Sequence, residues 1–302
     1  MAVSIEKKYQ KLTDTEHVLL RPGMYVGSIK PHTEEVFLPM KGKDQFQLTE
    51  VTYNPGFLKL FDEIVSNSVD EHKRNIKLNK VKVDIDMSTG QISIWDNGGI
   101  PVKIHKEYDE WVPEMIFSNL KAGSNFDDTE DRVVVGTNGV GSTLTNIFSK
   151  EFIIETCDGK KQFVQTFKNN MSERTKAKIT NKKTAYTKIT YLTDFKRFGL
   201  KGINKNHYLM ITKRLIDIAA CNPTLKIFLN DKPIAFRTFK DYASRYVTPV
   251  FYDQSENWKI GIGHSTTGFK AISFVNSVET KDGGTHVNNI DWQITSYLRD
   301  KI

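Results

Sequence analysis

Residues 57–71 decide the fold of this 302-residue chain, and they read FLKLFDEIVSNSVDE. Apolar side chains recur in this stretch every three to four positions, which is the period of a helix packed on a sheet. The preceding segment, Asn54-Pro55-Gly56, offers a capping side chain and a proline for the first turn. The sequence therefore predicts an amphipathic helix. Its core-facing stripe consists of Phe57, Leu60, Phe61, Ile64, Val65 and Ser68.

The opposite face of this helix carries Glu63, Asn67 and Asp70. At 100° per residue, Asn67 lies about 40° round the helix axis from Glu63, and Asp70 lies about 20° away on the other side. Lys59 balances only part of the negative charge. For the helix alone, two interpretations are open. The three side chains either solvate an outer surface or form a site for a cation or a phosphate.

The composition is typical of a globular protein, with 38% hydrophobic and 26% charged residues. The chain has no basic start followed by an apolar signal region, and no apolar run approaches the roughly 18 residues of a membrane helix. Cys157, Cys221 and the seven histidines show no metal-binding spacing, which argues against a zinc site. We therefore expect a reducing compartment, which is the cytoplasm or nucleoid for a phage or bacterial protein and the nucleus for a eukaryotic one.

The net charge of +7 is concentrated in residues 168–205, which we call the basic segment. It contains eleven Lys or Arg and only two acids, Glu173 and Asp194. A local surface of this charge suits a polyanion such as duplex DNA, bound weakly and without sequence preference. A solvated, lysine-rich loop is the alternative.

Hairpin-connected strands dominate the rest of the chain. The turn Asp158-Gly159 is a strong hairpin signal, and a helix is predicted at residues 207–220. Residues 30–50 show no comparable pattern and are predicted to form a loop. Strands joined by hairpins, with helices between them, indicate a mixed α+β sandwich rather than a doubly wound parallel sheet. The predicted strands are residues 81–87, 91–95, 152–157, 162–167, 187–192 and 225–229.

The composition changes near residues 238–249, where we place a domain boundary. Beyond it, residues 260–263 and 269–275 begin a second β-rich unit, which reaches Ile302 after one helix start. The expected organisation is an N-terminal arm at 1–20, a first domain at 21–246 and part of a second domain at 247–302.

Asp96 ends a predicted strand and is followed by Asn97-Gly98-Gly99. A carboxylate at this position can accept hydrogen bonds from an amine, such as the exocyclic group of a purine, and the glycines leave room for the ring. A tight Asx-capped turn that merely closes the strand is the alternative.

A glycine-rich run opens the next predicted helix, and it reads Gly136-Thr137-Asn138-Gly139-Val140-Gly141-Ser142. Its backbone N–H groups and the helix N-terminus converge on one point, which favours a phosphate. The run has neither the Gly-Lys-Ser/Thr ending of a Walker A loop nor the glycine pattern of dinucleotide folds. Ser124 and Asn125 add small polar groups that can reach the same ligand. A surface loop without a ligand is the alternative.

Together, the helix face, the Asp96 strand end and the glycine-rich run supply what a nucleoside triphosphate site needs. Mg²⁺ keeps several waters and takes few protein oxygens, so the Asn67 carbonyl is a suitable ligand beside the phosphates. Glu63 lies one helical turn away and is placed to orient and deprotonate the water that attacks the γ-phosphate.

From about residue 5 to residue 300, the chain resembles the ATPase region of type IIA DNA topoisomerases, which belong to the GHKL superfamily. The last motif is the most discriminating, because it belongs to the transducer domain and is not shared by every GHKL ATPase. The similarity is nearer to the eukaryotic and phage branches than to bacterial gyrase. The motifs are KKYQKL (7–12), EHVLLRPGMYVGS (16–28), Glu63-x-x-x-Asn67, IWDNG (94–98), the glycine-rich run with NIFS (146–149), and SFVNS (273–277) with GGTH (283–286).

This resemblance implies a Bergerat-type ATP-binding sandwich, with a mostly antiparallel sheet and helices on one face, followed by part of a transducer domain. It implies ATP and Mg²⁺ as cofactors. The implied roles are Glu63 as general base, Asn67 as magnesium ligand, Asp96 with Gly98 and Thr187 as adenine contacts, Ser124 and Asn125 as ribose and phosphate contacts, residues 136–142 as the ATP lid, and Tyr9 as the arm residue that enters the partner subunit's site.

The implied activity is passage of one DNA duplex through another, in which ATP closes an N-terminal dimer gate and hydrolysis resets it. The implied partners are a second copy of the chain, duplex DNA, and a DNA-cleavage domain or subunit. Another GHKL clamp, of the MutL type or a chaperone, is an alternative against which residues 273–286 argue.

The chain departs from the family pattern in two places. The turn from Asp96 to Ile100 is one residue short, which leaves Gly99 without an assigned role. The Gln-Thr-Lys loop, whose lysine touches the γ-phosphate in this family, is expected beyond Ile302. We therefore expect a fragment with weak or no ATPase activity of its own. A nucleotide-binding dimerisation module with negligible turnover is a further alternative.

Overall fold

The computed structural model describes residue 5 and residues 9–123, 139–236, 238–248, 250–255, 257–265 and 268–301. Its helices are α1 (Asp14–Leu20), α2 (Pro55–Arg74), α3 (Val112–Ser118), α4 (Gly141–Ile147), α5 (Lys205–Cys221), α6 (Phe239–Ala243) and α7 (Thr285–Arg299). Its strands are β1 (His32–Leu38), β2 (Gln47–Tyr53), β3 (Lys80–Ile85), β4 (Gln91–Asp96), β5 (Ile104–His105), β6 (Glu110–Trp111), β7 (Ser149–Cys157), β8 (Lys161–Lys168), β9 (Glu173–Arg174), β10 (Lys178–Asn181), β11 (Tyr186–Thr193), β12 (Lys226–Leu229), β13 (Lys232–Ile234), β14 (Val250–Gln254), β15 (Lys259–Gly263), β16 (Phe274–Val275) and β17 (Val278–Glu279).

A nine-stranded sheet in the order β10-β8-β7-β11-β4-β3-β12-β13, with β9 paired to β8, forms the centre of the fold. Its pairs are antiparallel except for β12 and β3, which run parallel. A parallel neighbour needs a crossover connection, and α5 lies in the connection that leads to β12. The predicted α+β class, the mostly antiparallel sheet, and the hairpins β3–β4 and β7–β8 are confirmed.

Helix α2 lies in the middle of the helical layer and contacts both α4 and α5. Phe57, Leu60 and Phe61 are at most 1% exposed and pack in one large core with sheet residues such as Ile94 and Ile154. Each such side chain contributes about 1.5–3 kcal/mol through burial. All six residues of the predicted core-facing stripe are buried, which confirms the helical period.

Residues 30–50 do not form the predicted loop. They contribute β1 and much of β2, an antiparallel pair in which His32 lies opposite Tyr53 and Leu38 lies opposite Gln47. Only three of the fourteen residues of this pair are buried, and seven are exposed. The alternation of apolar and polar side chains that identifies a strand is therefore weak here, and pairing of the two strands overrides it.

Helix α1 lies inside the segment expected to be an N-terminal arm. Thr13 and Glu16 form a reciprocal capping box at its start, and Val18 is fully buried in the main core. The C-terminal part of this segment, which forms α1, thus packs on the main core.

Beyond α6 the chain forms two further hairpins, β14–β15 and β16–β17, followed by α7. Among the helices that the structure describes, none is long and apolar enough to cross a membrane.

Candidate nucleotide site

Helix α2 is fixed at its N-terminus by Asn54, as the sequence predicts. The Asn54 side-chain oxygen accepts a hydrogen bond from the Phe57 N–H at 3.0 Å, and its amide donates to the Phe198 carbonyl at 3.0 Å. The Asn54 N–H donates to His207 Nε2 at 2.9 Å. Burial lowers the pKa of His207 to about 4, so at neutral pH the ring is neutral and can accept this bond. Sequence patterns gave no signal for His207.

The polar stripe of α2 separates into two parts. Asn67 is exposed and Glu63 is partly exposed, whereas Asp70 is only 1% exposed. The predicted site is therefore carried by Glu63 and Asn67, and Asp70 belongs to the interior.

Glu63 lies where α2 meets the start of α4. Its Oε1 forms an ion pair with Lys59 Nζ at 2.5 Å, one helical turn back. Its Oε2 lies against Gly141, where a Cβ atom would overlap the carboxylate. The base candidate is therefore held between a cation and the first residue of α4, and only a glycine at position 141 leaves room for it.

Asn67 is placed differently from its neighbours. Its carboxamide has no hydrogen-bond partner among the described residues, so the oxygen is available to a ligand. The described residues also contain no cluster of three or more His, Cys, Asp or Glu side chains that would hold a metal without further help. This donor set fits an ion that arrives with phosphate ligands of its own.

Asp96 ends β4 in a buried position and is tied directly to α2. It is 7% exposed and accepts hydrogen bonds from Ser68 Oγ at 2.7 Å and from the Gly98 N–H at 2.9 Å. Burial raises the pKa of the Asp96 carboxyl to about 6, although the hydrogen bonds from Ser68, Gly98 and Thr187 act in the opposite direction. The Asp96 carboxylate is therefore protonated at a higher pH than an ordinary aspartate.

Thr187 lies beside Asp96, as the predicted pair of contacts requires. The two residues are register partners on β11 and β4, and Thr187 is 9% exposed. Its hydroxyl hydrogen-bonds to Thr156 Oγ1 of β7 at 3.0 Å. Thr156 Oγ1 also accepts the N–H of Ile100 at 3.0 Å, so it connects the turn after Asp96 to the sheet.

The two glycines of the turn after Asp96 lie close to atoms of neighbouring residues. A Cβ at Gly99 would overlap the carbonyl oxygen of Cys157, and a Cβ at Gly98 would lie 2.7 Å from Leu78 Cδ1. The contact at Gly99 is with backbone and requires a glycine, whereas the contact at Gly98 is with the end of a side chain that can shift. Gly99, which the sequence left without a role, packs against the neighbouring strand.

The described end of the glycine-rich run leads directly into α4. Gly139 has a left-handed φ of +59°, and its carbonyl accepts the Ala122 N–H at 3.1 Å. Val140 precedes the helix and Gly141 begins it. The Ser142 hydroxyl donates to the Ile116 carbonyl at 3.2 Å, so this side chain is engaged with α3.

Some predicted site residues lie outside the described part of the chain. They are Ser124, Asn125, Gly136, Thr137 and Asn138. Tyr9 is described and is 70% exposed, as an arm residue would be.

The described residues of the candidate site lie on residues 63–68 of α2 or are held by them. Glu63 and the start of α4 stand at one end, Asn67 follows, and Ser68 holds Asp96 at the other end. Glu63 and Ser68 are separated by about 7.5 Å along the helix axis. This set thus combines an acid beside a glycine at the start of α4, an exposed carboxamide and a buried carboxylate.

The basic segment is not a loop throughout, because it includes β9, β10 and β11. Ten of its eleven Lys and Arg side chains are exposed. Arg174 pairs with Glu114 at 2.9 Å and Arg197 with Asp194 at 3.0 Å, which offsets part of the charge.

No protein-family model matches the chain. The chain is 43% identical over 317 residues to DNA topoisomerase 2 of Acanthamoeba polyphaga mimivirus, an alignment that covers 99% of this chain and 25% of that protein. It is 36% identical in sequence to the ATPase region of Saccharomyces cerevisiae topoisomerase II, whose crystal structure it matches with a TM-score of 0.93. This match covers 98% of this chain and 81% of that one. The ATPase and transducer domains of DNA topoisomerase II from Balamuthia mandrillaris give 37% identity and a TM-score of 0.92, with 98% and 78% covered. The chain thus spans about a quarter of the length of its viral relative.

Proposed function

The chain belongs to the DNA topoisomerase II family and corresponds to its ATPase region, and on that premise we propose that it is the ATP-binding and ATP-hydrolysing gate of such an enzyme. The family predicted from the motifs is confirmed. The other GHKL clamps are not favoured, because these similar structures, which cover nearly the whole chain, are topoisomerase II ATPase regions.

The observation that supports this proposal best is the placement of Glu63, Asn67 and Asp96 on or against α2. We assign the adenine end to Asp96, which accepts the exocyclic amine, with Gly98 and Thr187 beside it. We assign the phosphate end to Glu63 and to the backbone of residues 139–142 at the start of α4. Because α2 carries Glu63 and holds Asp96 through Ser68, this helix sets the distance between the proposed base and the proposed adenine contact.

Glu63 is the proposed general base. Its Oε1 is engaged by Lys59, which leaves Oε2 to accept a proton from the attacking water. Asn67, one turn further on, would hold Mg²⁺ through its oxygen, and the ion when bound would neutralise charge on the phosphates.

The remaining assignments extend the proposal to the whole protein. Residues 21–246 would be the ATPase domain and residues 247–302 the start of a transducer domain, with residues 1–20 as an arm. Ser124, Asn125, Gly136, Thr137 and Asn138 would complete the nucleotide site, and Tyr9 would contact the nucleotide of a partner subunit. We propose a homodimeric enzyme that passes one DNA duplex through another with a DNA-cleavage domain or subunit, and that touches duplex DNA weakly through the basic segment.

Replacement of the base tests this proposal. Glu63→Ala should lower ATP turnover about 100-fold or more, which is the usual contribution of a general base. The affinity for ATP, measured by equilibrium binding, should change less than threefold, since Glu63 is assigned to the water and not to the nucleotide. Glu50→Ala removes an exposed acid of β2 and serves as the control, with both quantities unchanged. Loss of ATP binding in Glu63→Ala, or unchanged turnover, would contradict the assignment.

A further inference from the structure

The tip of the β16–β17 hairpin is docked on the first domain. Its two turn residues, Asn276 and Ser277, have left-handed φ values of +51° and +71°, as a two-residue hairpin turn requires. Ser277 is only 7% exposed, and Asn222, the residue that follows α5, donates to its hydroxyl at 3.0 Å. Lys73, near the end of α2, donates to the Asn276 carbonyl at 3.0 Å. The tip is therefore seated between α2 and α5.

Arg214 of α5 binds this tip and α2 with the same guanidinium group. Its Nη1 donates to the Ser277 carbonyl, and its Nε donates to Asp62 Oδ1 at 2.6 Å. The Arg214 side chain is 18% exposed and that of Asp62 is 25% exposed, so the ion pair is largely shielded from solvent. Asp62 directly precedes Glu63, and the two side chains leave α2 about 100° apart. Asp62 therefore faces α5 while Glu63 faces the nucleotide site.

The turn of α2 around Glu63 is thus held by side-chain contacts to both Glu63 and Asp62. Lys59 and Gly141 confine the Glu63 carboxylate on the site face. About 100° round the helix, Arg214 holds Asp62, and Ser66 Oγ donates to the same Asp62 oxygen at 3.4 Å. Removal of Arg214 would leave Asp62 partly buried without this cation, and relaxation of the turn would follow.

We propose that Arg214 is a positioning residue for ATP hydrolysis, through which the β16–β17 hairpin of the second unit is tied to the turn of α2 that carries Glu63. Displacement of the hairpin tip moves the Arg214 guanidinium that is bonded to it, and this movement displaces Asp62. The orientation of Glu63 toward the attacking water then depends on how the second unit is seated. This inference rests on the proposed role of Glu63 as the base.

Steady-state ATPase kinetics of the full-length protein test the link through a double-mutant cycle. Arg214→Gln and Asp62→Asn should each lower kcat about tenfold and leave KM within about twofold, because the base is misplaced while the nucleotide contacts remain. The double variant should be no worse than either single variant, since both break the same connection. Arg214→Lys, which keeps the charge, should recover part of kcat.

Lys73→Gln is the matched control, because it removes another cation from the hairpin tip, while Arg214 and Asn222 still hold the tip and Asp62 keeps its partner. Its kcat should stay within about twofold of the unmodified protein, and melting temperatures should show that every variant is folded. Unchanged kcat in Arg214→Gln, additive losses in the double variant, or an equal loss in Lys73→Gln would overturn the inference. An unmodified full-length protein without ATPase activity would instead overturn the proposed function.

Discussion

Asp96 combines two properties that act against each other. It is buried at the end of β4, and burial raises the pKa of its carboxyl to about 6. Its assigned role, acceptance of a hydrogen bond from the adenine amine, uses the ionised form, which has only acceptor oxygens. The affinity for ATP should therefore depend on pH near neutrality.

We expect the affinity of the protein for ATP to fall as the pH falls below about 6. The ionised form dominates above the pKa, so binding is strongest there, and each pH unit below it costs about tenfold in affinity. Isothermal titration between pH 5 and pH 7.5 measures this effect. Asp96→Asn keeps an acceptor oxygen but does not titrate, so it reveals the part that comes from the nucleotide's own phosphates. Identical pH profiles for the two proteins would contradict the assignment.

Residues of the site differ in how far the sequence predicted them. Glu63, Asn67 and Asp96 stood out because a polar face on an apolar helix and an acid before two glycines are local patterns. Ser68 was assigned only to the buried stripe, yet its hydroxyl holds Asp96. Thr156 and His207 were missed, because each acts across more than thirty positions of sequence, on Thr187 and on Asn54 respectively. Such contacts arise from the sheet register and the helix packing, which no local pattern records.

At the scale of elements, the site depends on how closely α4 approaches α2. The contact is made by Gly141 against the Glu63 carboxylate, where a Cβ would overlap the side chain. Glu63 is a flexible side chain at the surface of α2, so it can move away where a backbone atom could not. A larger residue at position 141 would thus displace the base and leave the fold intact.

Gly141→Ala should therefore lower ATP turnover strongly. A displacement of the base by about 1 Å can cost on the order of a hundredfold in rate. The free energy of unfolding should change by less than about 1 kcal/mol, because alanine is favoured over glycine in a helix and only a side-chain end must shift. Gly202→Ala is the control, since nothing lies within 4 Å of the added methyl group. Normal turnover in Gly141→Ala would show that the contact does not position Glu63.

Some elements of the fold could be predicted from the sequence, and others could not. Helix α2 and the hairpins β3–β4 and β7–β8 follow from strong periods and turn signals, and the structure contains them. The β1–β2 pair was missed, because only three of its fourteen residues are buried and its strands gain their order from each other. Burial of one face creates the sequence period, so an element without a well-buried face leaves little trace.

At the scale of the molecule, α2 connects the proposed base, the proposed metal ligand and the proposed adenine contact Asp96. It carries Glu63 and Asn67, it holds Asp96 through Ser68, and it is tied to the second unit by Lys73 and by Asp62 with Arg214. An ATP molecule laid along this helix would therefore contact both the catalytic end and the adenine end of one rigid body. Under both proposals, the contact of the hairpin tip with the same helix would connect the nucleotide state to the rest of the gate.

The most direct measurement of this account maps where the two ends of ATP lie. The chain is labelled separately with an ATP analogue that carries a photoreactive group on adenine and with one that carries it on the γ-phosphate, and the modified peptides are identified by mass spectrometry. We predict that the adenine probe labels residues 94–99 or 186–188, and that the γ-phosphate probe labels residues 59–63 or 139–142. Reversed labelling, or labelling of both probes away from α2 and Asp96, would contradict the account.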